Sequence, residues 1–200
     1  MLQALRSRMR RFFGQSDGSI TLEAILYMPP ILMLFLLSLV LFDGFRTNNL
    51  SQKAAYSIGD AISRETVPLD DAYLNGMEAV YQEIVGRRAG YGIRFTIMRW
   101  SASQEAYLVD WSNVRGTLIT NRLTDADLEG MEDDLPQLQN GERIIMIEAR
   151  TDVSVPEALR KSSDGWAPPL SVRIDMDKFQ MAANVITRPR FTPQVCWQAC

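Results

Sequence analysis

Residues 18–42 read GSITLEAILYMPPILMLFLLSLVLF, and the nineteen positions from Ala24 to Phe42 carry no charge. A helix rising about 1.5 Å per residue over that length reaches close to the ~30 Å hydrocarbon core of a bilayer. One acidic residue, Glu23, stands at the entrance to the run, five positions after Gly18. Upstream lie Arg6, Arg8, Arg10 and Arg11. A secretory signal peptide has a shorter apolar region and ends in a small-residue cleavage pattern. Here the run is longer and is followed by Asp43, Gly44, Phe45 and Arg46. A retained transmembrane helix is expected.

Charge gives the direction of insertion. Residues 1–18 hold four Arg and one Asp, a net +3, whereas the other 182 residues hold 17 cations and 23 acids, a net −6. A basic start before the span and an acidic body after it place the N-terminus inside and the body outside. An acidic body also argues against a nucleic-acid partner, which needs clustered cations.

Pro29 and Pro30 fall inside the span. Each removes a backbone donor, so a kink is expected between Leu26 and Pro30. Beyond the span, Phe45, Leu50, Ala54, Ile58 and Ile62 form an apolar stripe, so the helix is expected to continue in water from about Thr21 to Arg64. Pro68 ends it. A second helix is read over Asp70–Arg87, with Tyr73, Met77, Val80, Tyr81 and Ile84 on one side.

The period then changes. Ile93–Trp100 and Ala106–Trp111 read as strands around a polar turn at Ser101–Glu105. Thr124 is placed to cap a short acidic helix through Met131, and Asn140-Gly141 signals a turn. Arg143–Val155 is the strongest strand, with Leu170–Met176 and Met181–Ile186 as its expected partners. Pro189 and Pro193 mark an extended tail. The fold expected is α+β: a basic leader at 1–18, a helix over 19–66, and a small domain over 67–200 with a mostly antiparallel sheet.

Little in this chain points to catalysis. It has no His, and its two cysteines, Cys196 and Cys200, lie at the C-terminus. That removes the usual general base, nucleophiles and transition-metal ligands. No glycine-rich phosphate loop occurs, and Gly14, Ser16 and Gly18, although spaced as G-x-S-x-G, stand in the basic leader with no strand before them, so no nucleophile elbow is read. Asp125-Ala-Asp127-Leu-Glu129-Gly130 has the opening of a calcium loop, but its twelfth position is Pro136 rather than a bidentate Glu. No catalytic residue, metal or cofactor is expected. Trp100, Trp111, Trp166 and Trp197 are read as core or interface anchors. Cys196 and Cys200 are spaced for a local disulfide if the body is exported; two free thiols are the alternative.

Glu23 is the ionisable residue of interest. A carboxylate at the mouth of a span either rests at headgroup level or meets a partner. In a bundle of parallel helices the partner would be a neighbour's α-amino group, created by a cut after Gly18.

These residues resemble a family. Gly, four residues, then Glu opening an apolar helix is similar to the processing signature of type IV prepilins. The stretch SITLE, with prolines later in the span, resembles the TadE/TadF minor pseudopilins of the tight-adherence (Flp) pilus system. The likeness covers Asp17 to Ser63, including NNLSQKAAYSIGDAIS at 48–63. Over residues 67–200 it is one of layout. The resemblance implies that Gly18 is the last leader residue, Ser19 the new N-terminus and Glu23 the assembly carboxylate. It implies a prepilin peptidase, other pilins or pseudopilins and the assembly platform as partners, in the inner membrane of a bacterium with the pilin-like head in the periplasm. The major Flp subunits carry Tyr after the Glu and are very short. This chain has Ala24 and a body of about 130 residues, which points to a minor component. The competing class is a bitopic membrane protein with an uncleaved anchor and a periplasmic binding or sensory domain. A membrane-tethered enzyme would need an acidic pair converging in a pocket.

Overall fold

A computed structural model of the chain describes residues 20–86, 90–131, 134–152 and 180–199. The elements in order are α1 (Ile20–Ser63), α2 (Asp71–Val85), β1 (Tyr91–Ser101), β2 (Ala106–Gly116), α3 (Asp125–Leu128), β3 (Arg143–Asp152) and β4 (Gln180–Thr187). The chain divides into two compact units, Met1–Phe42 and Asp43–Cys200. Within the first, residues 22–39 of α1 are all exposed. The second unit, the head, is α+β.

Its sheet has the order β2-β1-β3-β4 among the described residues, with every neighbouring pair antiparallel. The two most buried strands, β1 and β3, are thus central. Alternation along them separates two cores, as the period of two requires. Ile93, Phe95 and Ile97 of β1 join Ile145, Ile147 and Ala149 of β3 and Val185 of β4 in the larger core. Ala54, Ala55, Ile58 and Ile62 of α1 and Leu74, Tyr81 and Val85 of α2 complete it. Met98, Ile144 and Met146 belong to the second core, with Tyr107, Leu123, Leu128 and Leu135. Each fully buried aliphatic or aromatic side chain stabilises the head by about 1.5–3 kcal/mol.

The register explains a further feature. Ile97 pairs with Trp111 but Met98 pairs with Val109, so β2 holds one extra residue, Asp110, at a bulge. Arg99 and Arg143 are directly opposed across β1 and β3, a like-charge pair that is destabilising by itself. Asp110 joins both, at 2.8 Å to Arg99 and 2.6 Å to Arg143. Nearby in the sheet, Arg94 holds Glu148 through two bonds of 2.5 and 2.7 Å.

Several expectations are corrected. Phe45 lies off the buried stripe and is 65% exposed. The stripe runs through Gly44, Thr47, Ser51, Ala54, Ala55, Ile58 and Ile62. Phe45 is two residues from Thr47, which is about 200° round a helix. The polar members are accommodated: Ser51 Oγ and Tyr81 Oη lie 2.8 Å apart in a hydrogen bond. Val80 is likewise exposed, one residue off the Leu74–Tyr81–Val85 face. Helix α3 ends at Leu128 rather than Met131, because Glu129 is extended and Gly130 takes φ +90°. Strand β2 runs on to Gly116, past Trp111. The tail is packed, with Val195 and Cys196 buried. The expected strand Leu170–Met176, the end of the third strand at Val153–Val155 and Trp166 lie outside the described residues.

Helix α2 opens on a side-chain cap, with Asp70 Oδ1 accepting from Tyr73 N at 2.8 Å. Gly76 lies within it, and a methyl group there would meet nothing within 4 Å. Gly76→Ala is expected to stabilise the head by about 0.8–1 kcal/mol, since Gly costs a helix that much relative to Ala. Thermal unfolding of the full chain in detergent reads it, and a lowered midpoint would refute it.

Three tyrosines fasten α2. Burial raises the Tyr73 hydroxyl, and its hydrogen bond and charge interaction with Glu65 raise it further. Burial also raises Tyr81, against the opposing bond with Ser51. Tyr91 is raised by burial and by Glu78, whose carboxylate accepts a hydrogen bond from its hydroxyl at 2.5 Å. An unfolded tyrosine ionises near pH 10. Below that pH both states are neutral and this contribution is complete. Above it the unfolded chain releases protons that the folded chain retains, so stability falls as pH rises. Tyr73→Phe should therefore flatten the alkaline arm of a stability–pH profile. An arm of unchanged slope would remove Tyr73 from this account.

Candidate functional site

The site is the N-terminal half of α1. Leu22 to Phe42 present almost nothing but apolar side chains, and they face outward on all sides: Ile25 is 74% and Phe42 68% exposed. A helix that is apolar all round is a buried core element or a membrane span. Among the described residues almost none of this stretch is buried, and its length and composition suffice to cross a membrane. Water-soluble monomers rarely expose contiguous apolar patches beyond a few hundred Å². Among the described residues the chain thus has one candidate membrane span.

Glu23 is exposed in the first turn of α1. There the unpaired N–H groups of the helix start carry a partial positive charge, which favours a carboxylate. Pro29 and Pro30 are accommodated within the α-helix assigned to Ile20–Ser63. Lacking N–H groups, they leave the carbonyls of Ile25 and Leu26 without their i+4 donors. In a bilayer such carbonyls need neighbouring groups. Gly18 and Ser19, the expected processing site, lie outside the described residues.

At the other end of the chain, Cys196 is disulfide-bonded. The sequence holds one other cysteine, Cys200, which lies outside the described residues. Two tryptophans anchor this end, with the Trp111 and Trp197 rings 5.3 Å apart. Trp100 packs edge-on to Tyr107 at 4.9 Å.

The acidic segment is committed to backbone donors. Asp125 Oδ1 accepts from Val109 N at 2.6 Å, and Asp127 Oδ2 accepts from both the N–H and the hydroxyl of Thr124. Those bonds hold the Asp127 carboxyl below its usual range. Among the described residues no three acidic or cysteine side chains are grouped to hold a metal ion. A depression of about 200 Å³ is bordered by Asp125 and Glu129, and a wider one of about 450 Å³ by Asp134, the only carboxylate lining it among the described residues.

Sequence reading passed over two arrangements. Asp110 between Arg99 and Arg143 depends on a bulge that no residue type announces. The seating of the C-terminal segment depends on a pairing of Leu69 with Trp197, 128 positions apart in sequence.

Fold and site together define an α+β chain with, among the described residues, one candidate membrane span near its N-terminal end. Compared with models of protein families, with curated proteins and with solved structures, the chain matches none.

Proposed function

We propose that this chain is a minor pseudopilin of a tight-adherence (Flp-type) pilus, a structural assembly component with no catalytic role. A prepilin peptidase cuts after Gly18, and the apolar helix then holds the subunit in the bacterial inner membrane. The N-terminal side faces the cytoplasm and the head lies in the periplasm. Packing against the helices of other pilins or pseudopilins, at the assembly platform, admits it to the pilus machinery. Glu23 neutralises an α-amino group in that packing, and the head makes the specific contacts.

The observation that carries this reading is Glu23, five residues after Gly18, in the first turn of an apolar helix exposed on every side. An anchor alone needs no carboxylate there, whereas ordered packing beside a free amine does.

The direct test is the N-terminus of the protein purified from its own membranes. A chain beginning at Ser19 supports the proposal. One beginning at Met1 overturns it in favour of an uncleaved anchor carrying a periplasmic binding domain. Glu23→Val adds apolar surface, so membrane insertion should survive alkaline extraction. Its incorporation into the assembled complex should fall at least about tenfold, the effect of ~1.4 kcal/mol. Incorporation at the native level would remove the role given to Glu23.

A further inference from the structure

Beyond Phe42, α1 has two faces. Thr47, Ser51, Ala54 and Ile58 are buried against the head. On the far side Phe45, Asn49, Gln52 and Tyr56 are all exposed, Tyr56 at 62%. These four recur at steps of four, three and four. At about 100° per residue they fall within roughly 60° of one another round the helix. Alternating steps of four and three are the a/d repeat of a coiled coil, which averages about 3.5 residues. Among the described residues, Phe45 and Tyr56 are the large apolar side chains that α1 exposes beyond Phe42, and both lie on this line. The line stops at Tyr56, because its next position, Gly59, is packed on β4: a methyl group there would lie 3.5 Å from Thr187 Cγ2.

The line carries no charge, so it can face itself. Arg46 and Lys53 flank it on one side, Asn48 and Ala55 on the other. In a parallel, in-register pair Lys53 of one copy faces Asn48 of the other, and no like charges meet between Phe45 and Tyr56. Asn49 then opposes Asn49 across the dyad, where each amide offers the donor and the acceptor that the other needs. A paired Asn in such a seam fixes register and strand number. The head already holds this stretch helical, so pairing carries little further ordering cost.

We propose that the exposed face of α1 from Phe45 to Tyr56 is a dimerisation seam for a second copy of this chain, joined parallel and in register. The parallel sense rests on reading the start of α1 as a span: two chains anchored in one membrane enter their heads in the same direction. The seam does not depend on cleavage after Gly18.

The test is cysteine cross-linking of the full chain in its own membranes. Gln52→Cys, on the seam, should form a reducible product of twice the chain mass at least about tenfold faster than Ser57→Cys, on the exposed flank, because only the seam brings its Cα atoms within disulfide reach. Asn49→Lys places two ammonium groups across the dyad, and combined with Gln52→Cys it should slow that product at least about tenfold. Asn49 is exposed, so the thermal midpoint of the head should not move. If that variant fails to fold, the contrast between positions 52 and 57 still decides. Equal rates at the two positions would overturn the proposal. So would a product with the mass of another protein, which would give the seam to a different chain. A product unaffected by Asn49→Lys would overturn it in favour of pairing through the span. A chain that begins at Met1 and still forms the seam product would overturn the pseudopilin reading alone.

Discussion

Gly18→Leu is expected to leave the protein at full length in the membrane, beginning at Met1, with incorporation into any assembled complex lost. Processing in the proposed scheme requires the peptidase to approach the backbone at residue 18, where glycine offers no side chain. Leucine fills that space. The uncut leader keeps Arg6, Arg8, Arg10 and Arg11 attached, and no α-amino group forms at Ser19. A neighbour's Glu23 would then meet no amine, so both halves of the proposed pairing fail together. Gly18→Ala, adding one methyl group, is expected to be cut by a tolerant peptidase. The measurement is the N-terminal sequence of membrane-purified protein, alongside its recovery in the assembly. Normal maturation of the leucine variant would remove Gly18 from the scheme.

Phe95→Ala is expected to cost the head about 3–5 kcal/mol, the usual loss for truncating a buried phenylalanine. Phe95 is 1% exposed on β1, paired with Asn113 on one side and Ile147 on the other. Its ring belongs to the core that α1, α2 and the sheet share. Against a typical total of about 5–15 kcal/mol, such a loss leaves little margin. For a unit of this size the midpoint should fall by roughly 10–15 °C. Membrane insertion should not change, because the compact unit that ends at Phe42 contains no part of this core. The full chain in detergent, followed by circular dichroism, reads the first effect and alkaline extraction reads the second. A midpoint lowered by only a degree or two would contradict the packing described.

The two units differ in how they depend on the rest of the chain, and so did their legibility. The span was readable because the bilayer requirement is local: a long uncharged run needs only its own residues to be recognised. The amphipathic continuation of α1, the capped start of α2, the two central strands and the Asn140-Gly141 turn were readable for a similar reason. Each reports a period or a backbone preference within a few residues.

The sequence by itself therefore determined the candidate span, the order of the described elements and the α+β class. It also placed Glu23 at the mouth of the span and the cysteines at the end of the chain. Only the tertiary structure decided which side of each helix is buried. Ser51 enters the core because Tyr81, thirty residues beyond it, supplies a hydrogen-bond partner; Phe45 stays out although it is more apolar. It likewise decided that a bulge places Asp110 between two opposed arginines, and that the C-terminal segment closes over Leu69. Each of these depends on groups far apart in the chain meeting at hydrogen-bond distance, and a one-dimensional pattern carries no record of such meetings.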